Sequence, residues 1–237
     1  MVKIKPYLTE IVVFSAIIFF LTLSTYSRNR VWNSQIDLWT HCVKKSPYKA
    51  RPYSNLGSAY INAGIYDKAL AASQRAIQID PKFASAYYNL SIIYQKMGDF
   101  NQAITMGKKS LEIDPVLHMA HYSLGGIYLE SGQYEKSVEA YRRFLEAYPS
   151  FQNVHHLLGV AYGAQKQFDK AIAEFEFELR INPYHSLAHL NLGHIYWYEF
   201  QNRQKAIYHL KTALRLDPFL PNRPGIQRLV RTLEGFS

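Results

Sequence analysis

Five prolines, Pro81, Pro115, Pro149, Pro183 and Pro218, divide the chain at intervals of 34, 34, 34 and 35 residues. Similar residues stand at the same distances ahead of each. A Leu-Gly or Leu-Ser pair recurs as Leu56-Gly57, Leu90-Ser91, Leu124-Gly125, Leu158-Gly159 and Leu192-Gly193. Three residues further on comes a tyrosine, at Tyr60, Tyr94, Tyr128, Tyr162 and Tyr196, and then a small residue at Ala69, Ala103, Ser137, Ala171 and Ala206. A repeating unit of this length must be a small structure stacked on copies of itself, so the chain is expected to hold other molecules rather than enclose a catalytic cleft.

Within each unit the apolar residues recur at three- and four-residue steps, in two runs with a turn between, which is the period of the α-helix. Each unit is therefore a helical hairpin. The glycine of the Leu-Gly pair lets the two helices approach, and the tyrosine and the alanine-like residue fill the space between them. Gly64, Gly98 and Gly132 supply the turn between helices in three units, and the proline ends the second helix. Asp80, Asp114, Asn182 and Asp217 precede four of the prolines as turn-forming pairs.

The pattern of Leu-Gly, Tyr, Ala and Pro in a 34-residue unit resembles the tetratricopeptide repeat over residues 50 to about 220. The resemblance implies an all-α, right-handed superhelical solenoid of hairpins over 50–83, 84–117, 118–151, 152–185 and 186–220. Three features depart from the pattern. His121, His155 and His189 stand where Tyr53 and Tyr87 show an aromatic, Glu178 takes the place of a small residue, and the fifth unit has one extra residue between Trp197 and Ala206. Residues 28–49 read as a degenerate half-repeat with Trp32, Ile36, Trp39 and Val43 on one face. Residues 221–237 read as a capping helix, with Ile226, Leu229, Val230 and Leu233 at helical spacing.

The start of the chain carries a second signal. After a short tail at 1–6, residues 7–27 hold one charge, Glu10, and are otherwise nearly all apolar. Such a length suits a transmembrane helix. Lys3, Lys5, Arg28 and Arg30 flank it, with Tyr7, Tyr26 and Trp32 as belt aromatics. A cleaved signal peptide is the rival reading, although Leu23-Ser24-Thr25-Tyr26-Ser27 is a poor cleavage site. The expectation is a signal-anchored single-pass membrane protein with its N-terminus cytoplasmic and its repeats periplasmic or lumenal. In addition, the segment from Tyr26-Ser27-Arg28 through Leu38-Trp39 to Asn55-Leu56-Gly57 resembles the junction before the repeats of polytopic O-mannosyltransferase-like membrane proteins. The chain lacks the many membrane helices of such enzymes and the acidic residues of their early loops, so the resemblance implies at most a detached tail.

Composition excludes several classes. With 48% hydrophobic residues and 19 tyrosines the chain can bury a continuous core. The formal charge of +9 comes from scattered residues with no basic run interleaved with stacking aromatics, so no nucleic acid is expected. Cys42, the single cysteine, reads as a packing residue. His118 with His121 and His185 with His189 invite a metal hypothesis, but His121, His155 and His189 recur 34 residues apart and so fall in different hairpins. No metal, cofactor, small-molecule substrate or catalytic residue is assigned, and the chain reads as a non-enzyme.

A binding surface follows from the resemblance, in which the first helix of each hairpin lines a concave groove. Its non-core positions include Arg51, Ser54 and Ser58, then Tyr88, Ile92 and Gln95, then Met119, Tyr122 and Leu129, then His156 and Val160, then Leu190, His194, Trp197 and Tyr198. Asn55, Asn89 and Asn191, each immediately before a Leu-Gly or Leu-Ser pair, are similar to the asparagine ladder that holds a peptide main chain in some superhelices of this type. The expected function is a membrane-tethered scaffold that binds a protein partner, as an extended peptide, a helix or a subunit of a membrane complex. The alternative is an accessory module presenting acceptor proteins for extracytoplasmic glycosyl transfer.

Overall fold

The computed structural model describes residues 13–15, 17–22 and 34–235. Over residues 35–235 it is built of helices: α1 (Gln35–Lys45), α2 (Ala50–Asn62), α3 (Tyr66–Ile79), α4 (Ala84–Lys96), α5 (Phe100–Ile113), α6 (His118–Glu130), α7 (Tyr134–Ala147), α8 (Val154–Ala164), α9 (Phe168–Ile181), α10 (Ser186–Tyr198), α11 (Arg203–Leu216) and α12 (Arg223–Gly235). The all-α hairpin fold is as the register predicts. The chain forms two compact units, residues 1–98 and 99–237. In the first, α2 packs on α1, α3 and α4; in the second, successive helices from α5 to α12 pack on one another, and α8 also touches α10.

The ladders of the sequence are the core. All five leucines of the Leu-Gly and Leu-Ser pairs are buried, and Ala69, Ala103, Ser137, Ala171 and Ala206 are fully so. A side chain at Gly125 would bring its Cβ within 2.6 Å of the Tyr141 ring, and one at Gly159 within 2.7 Å of Phe175. Those rings occupy the space that the glycines leave. In four hairpins a lysine eight or nine residues beyond the ladder tyrosine lies over its ring: Lys68 over Tyr60, Lys136 over Tyr128, Lys170 over Tyr162 and Lys205 over Tyr196, at 4.7 to 5.9 Å.

The prolines work with the residue before them. Asp80, Asp114, Asn182 and Asp217 each accept, through Oδ1, the backbone N–H two residues on, at 2.7 to 3.2 Å. The side chain thereby mimics a backbone turn across the proline. The turn inside each hairpin has a residue in left-handed conformation: Gly64, Gly98 and Gly132, and in the last two hairpins Lys166 and Gln201. Backbone geometry therefore holds the turn even where the sequence carries no glycine.

Two of the three aromatic-to-histidine replacements keep one hydrogen bond. Tyr87 donates its hydroxyl to the carbonyl of Pro81 at 3.2 Å. His155 and His189 do the same from Nε2 to Pro149 at 2.9 Å and Pro183 at 3.3 Å, each six residues back. Histidine keeps the donor that tyrosine would supply.

Helix α12 closes the array by burying Ile226, Val230 and Leu233. Arg203 bonds the backbone carbonyls of Leu233 and Glu234 at its end, and Lys211 pairs with the Glu234 carboxylate.

One expectation is corrected. Among the described residues no helix is long and apolar enough to cross a membrane. Helix is described at 13–15 and 17–22, nine of the 21 residues of the expected span. Residues 7–12, 16 and 23–27 lie outside the described residues. The single-pass localisation with extracytoplasmic repeats, which rested on that span, is withdrawn with it.

Candidate functional site

The first helices differ from the second in charge. Helix α6 carries Glu130 as its one Asp, Glu, Lys or Arg, and α8 and α10 carry none. Their hairpin partners are highly charged: α7 holds Glu135, Lys136, Glu139, Arg142, Arg143 and Glu146, and α11 holds Arg203, Lys205, Lys211 and Arg215. In the first unit α2 carries Arg51 and α4 carries Lys96. Since a charged side chain demands water or a partner, the second helices take the solvated face and leave an uncharged first-helix face.

The residues expected to line a groove lie at different depths. In the first unit Arg51 is exposed, Asn55, Tyr88 and Ile92 are half-buried, and Asn89 is buried. In the second, Met119 and Tyr198 are exposed, Tyr122, Leu129, Asn191, His194 and Trp197 are half-buried, and His156 and Leu190 are buried. These buried three, and Ser54 with them, cannot be offered to a ligand as the expectation had them.

Asn89 donates through Nδ2 to the backbone carbonyl of Ser54 at 2.8 Å. Asn191 donates through Nδ2 to Nε2 of His156 at 3.1 Å. Each amide reaches the first helix of the preceding hairpin, 35 residues back. The asparagines thus tie neighbouring repeats together.

Aromatic side chains dominate the second unit. The Tyr122 ring lies 5.3 Å from Phe144 and 6.0 Å from Phe151, centre to centre, in a cluster that includes Tyr141 and Tyr148. Tyr122 is therefore a packing residue as much as a surface one. Further along, His194 and Tyr198 lie 6.0 Å apart, beside Trp197, which packs partly on the core. Burial pushes the His194 ring below its ordinary pKa, so it stays neutral near pH 7.

The paired histidines part company. His185 accepts the Ala188 N–H at Nδ1, capping α10, and donates from Nε2 to Asn153 Oδ1 at 2.9 Å. His189 instead meets His209, Nδ1 to Nδ1 at 2.9 Å. His118 packs edge-on against Tyr148. Among the described residues no group of three or more His, Cys, Asp or Glu side chains could hold a metal ion. Glu178, fully buried in place of a small residue, accepts the Asn153 N–H at 2.8 Å and so fixes the start of α8.

Family models described as TPR repeat or tetratricopeptide repeat match residues 57–98, 84–116, 118–151 and 156–221. Among solved structures the chain is similar to YrrB, described as a TPR protein with an unusual peptide-binding site. The identity is 23%, covering 80% of this chain and 97% of that one, with a TM-score of 0.68. MamA from Desulfovibrio magneticus RS-1 is 23% identical over 70% of this chain and 94% of its own, with a TM-score of 0.65. MamA AMB-1 is 27% identical over 70% and 96%, with a TM-score of 0.62. A search of curated proteins finds no match. With the buried ladders and the hairpin geometry, these matches show that the chain belongs to the tetratricopeptide repeat family.

Proposed function

We propose that the chain is a non-catalytic scaffold whose first-helix face in residues 118–198 binds a protein partner through an uncharged, apolar segment. One observation carries this reading: α6, α8 and α10 hold a single formal charge between them while presenting Met119, His194, Trp197 and Tyr198 at or near the surface. A face without charge desolvates cheaply, and large aromatic side chains supply most of the energy at such contacts. The peptide-binding site of YrrB supports the same class of ligand by fold alone.

Asn191 remains available only in part, since one amide hydrogen is engaged with His156. Sequence-independent reading of a peptide main chain therefore has little to work with, and recognition rests on side-chain anchors. Within the first unit, Arg51, Asn55, Tyr88 and Ile92 are proposed as a separate contact of that unit by itself. The alternative role beside an extracytoplasmic glycosyltransferase is not carried further: residues 26–33 of the junction that suggested it lie outside the described residues, and the matches are to tetratricopeptide proteins.

The test is affinity capture of a stoichiometric partner by the tagged chain, compared with a Trp197→Ala/Tyr198→Ala variant of unchanged helicity. Retention by the wild type at both about 0.1 M and about 1 M salt, with loss in the variant, is expected of an uncharged contact. Equal capture by both chains would place the contact elsewhere.

A further inference from the structure

Of the histidines, His155, His156, His185, His189, His194 and His209 all fall in the last two hairpins, whereas α2, α3 and α4 of the first unit contain none. Their hydrogen bonds fix where the protons sit. His185 receives the Ala188 N–H at Nδ1, so its own proton is on Nε2, facing Asn153. His156 receives the Asn191 amide at Nε2, so its proton is on Nδ1, which is buried without a partner. His189 donates from Nε2 to the Pro183 carbonyl, so its Nδ1 accepts and His209 donates from its own Nδ1. Each bond uses a ring lone pair that a second proton would remove.

The groups around these rings offer a second proton little compensation. The His156 ring lies 4.6 Å from that of His185 and also packs on Phe175. Lys205 and Arg215, both cationic, act on the His189–His209 pair, and Tyr196 stacks on His209. Three of the four carboxylates of α9 are engaged elsewhere: Glu174 with His155, Glu176 with the Tyr196 hydroxyl, Glu178 with the Asn153 backbone N–H. His155 is the exception, because both its ring nitrogens face acceptors, Glu174 and the Pro149 carbonyl, and the doubly protonated ring satisfies both.

We propose that the fifth hairpin, α10–α11, and its attachment to α8 form an acid-opened latch, in which protonation of His156 and of His189 removes the acceptors that fasten them, and protonation of His209 at Nε2 sets a buried charge beside Lys205. Acid leaves the His155–Glu174 link between α8 and α9 intact, so opening is confined to the C-terminal side of that hairpin. Burial and the neighbouring His185 hold His156 down at about 4, and burial with His189 and Lys205 holds His209 at about 4. Both lie below the ordinary value near 6.5 that the opened state recovers. Stability from these rings is therefore complete above about pH 6.5 and is lost as pH falls from there toward about 4.

Amide hydrogen exchange on the full chain, corrected for intrinsic rates, tests this at about pH 7.5 and about pH 5, where most carboxylates stay ionised. Each ring held neutral should favour opening by about thirtyfold at the lower pH. The expected result is faster exchange in residues 186–216 with residues 50–96 unchanged, and loss of that response in a His156→Gln/His209→Gln variant. Should the variant fold poorly, imidazole NMR titration of the wild-type chain decides the same question: His156 and His209 are expected to stay neutral at pH 5 in the closed state. Ordinary titration near 6.5, equal protection of 186–216 at both pH values, parallel loss in 50–96, or an unaltered acid response in the folded variant would overturn the latch.

Discussion

Asn89 and Ser54, 35 residues apart on α4 and α2, are joined by a buried hydrogen bond from the amide nitrogen of the first to the backbone carbonyl of the second, at 2.8 Å. The Asn89 amide also lies 3.3 Å from the Ser54 hydroxyl. The amide expected to hold a peptide main chain here holds the preceding repeat.

Truncation at this position should be costly to stability. Asn89→Ala leaves the Ser54 carbonyl without its side-chain donor in a buried setting, an expected loss of about 1–3 kcal/mol. Urea denaturation followed by circular dichroism measures it. A shift within error of the wild type would mean that the bond contributes nothing.

Two glycines on α8 should respond in opposite directions. Gly159→Ala drives a Cβ to 2.7 Å from the Phe175 ring, so the rings or helices must move, at an expected cost of about 1–3 kcal/mol. Gly163→Ala meets nothing closer than the Ala171 Cβ at 4.0 Å and should gain about 0.5–1 kcal/mol from helix propensity. Paired thermal melts distinguish the two; destabilisation of equal size at both sites would show that helix approach is not what the Leu-Gly pair serves.

His155 supplies a pH dependence of the opposite sign to the latch. Burial pushes its ring down, but the hydrogen bonds to Glu174 and Pro149 and the charges of Glu174 and Glu178 prevail and hold the pKa above its ordinary value. Its contribution is therefore complete below about pH 6.5 and is lost as pH rises through the folded-state value. Glu174→Gln should drop the His155 pKa below 6.5, read by imidazole NMR; an unchanged titration would remove Glu174 as the cause.

The repeat itself was legible because its packing is local and periodic. A leucine, a small residue and a ring at fixed steps have one way to fill a hairpin, and the buried leucine and alanine ladders follow from that alone. Depth on the first-helix face was not legible, because Asn89 and His156 occupy the same kind of position as Arg51 and Tyr198, and only the neighbouring repeat decides which is covered. Lys166 and Gln201 concealed their turns for a related reason: surrounding helices impose a left-handed backbone without the glycine that advertises it. The apolar run at 7–27 meets a necessary condition for spanning a bilayer, whereas among the described residues no helix is long and apolar enough to do so.

Tyr198 on α10 and Tyr208 on α11 are 63% and 62% exposed, a matched pair on the uncharged and charged helices of one hairpin. Replacing each in turn with a photo-crosslinking phenylalanine analogue, in the full chain within its own cells, tests most directly whether the first-helix face holds the partner. A scaffold that binds through that face should give a discrete covalent adduct with a partner protein from position 198 and none from position 208. Adducts from 208 alone, or of equal yield from both, would contradict it.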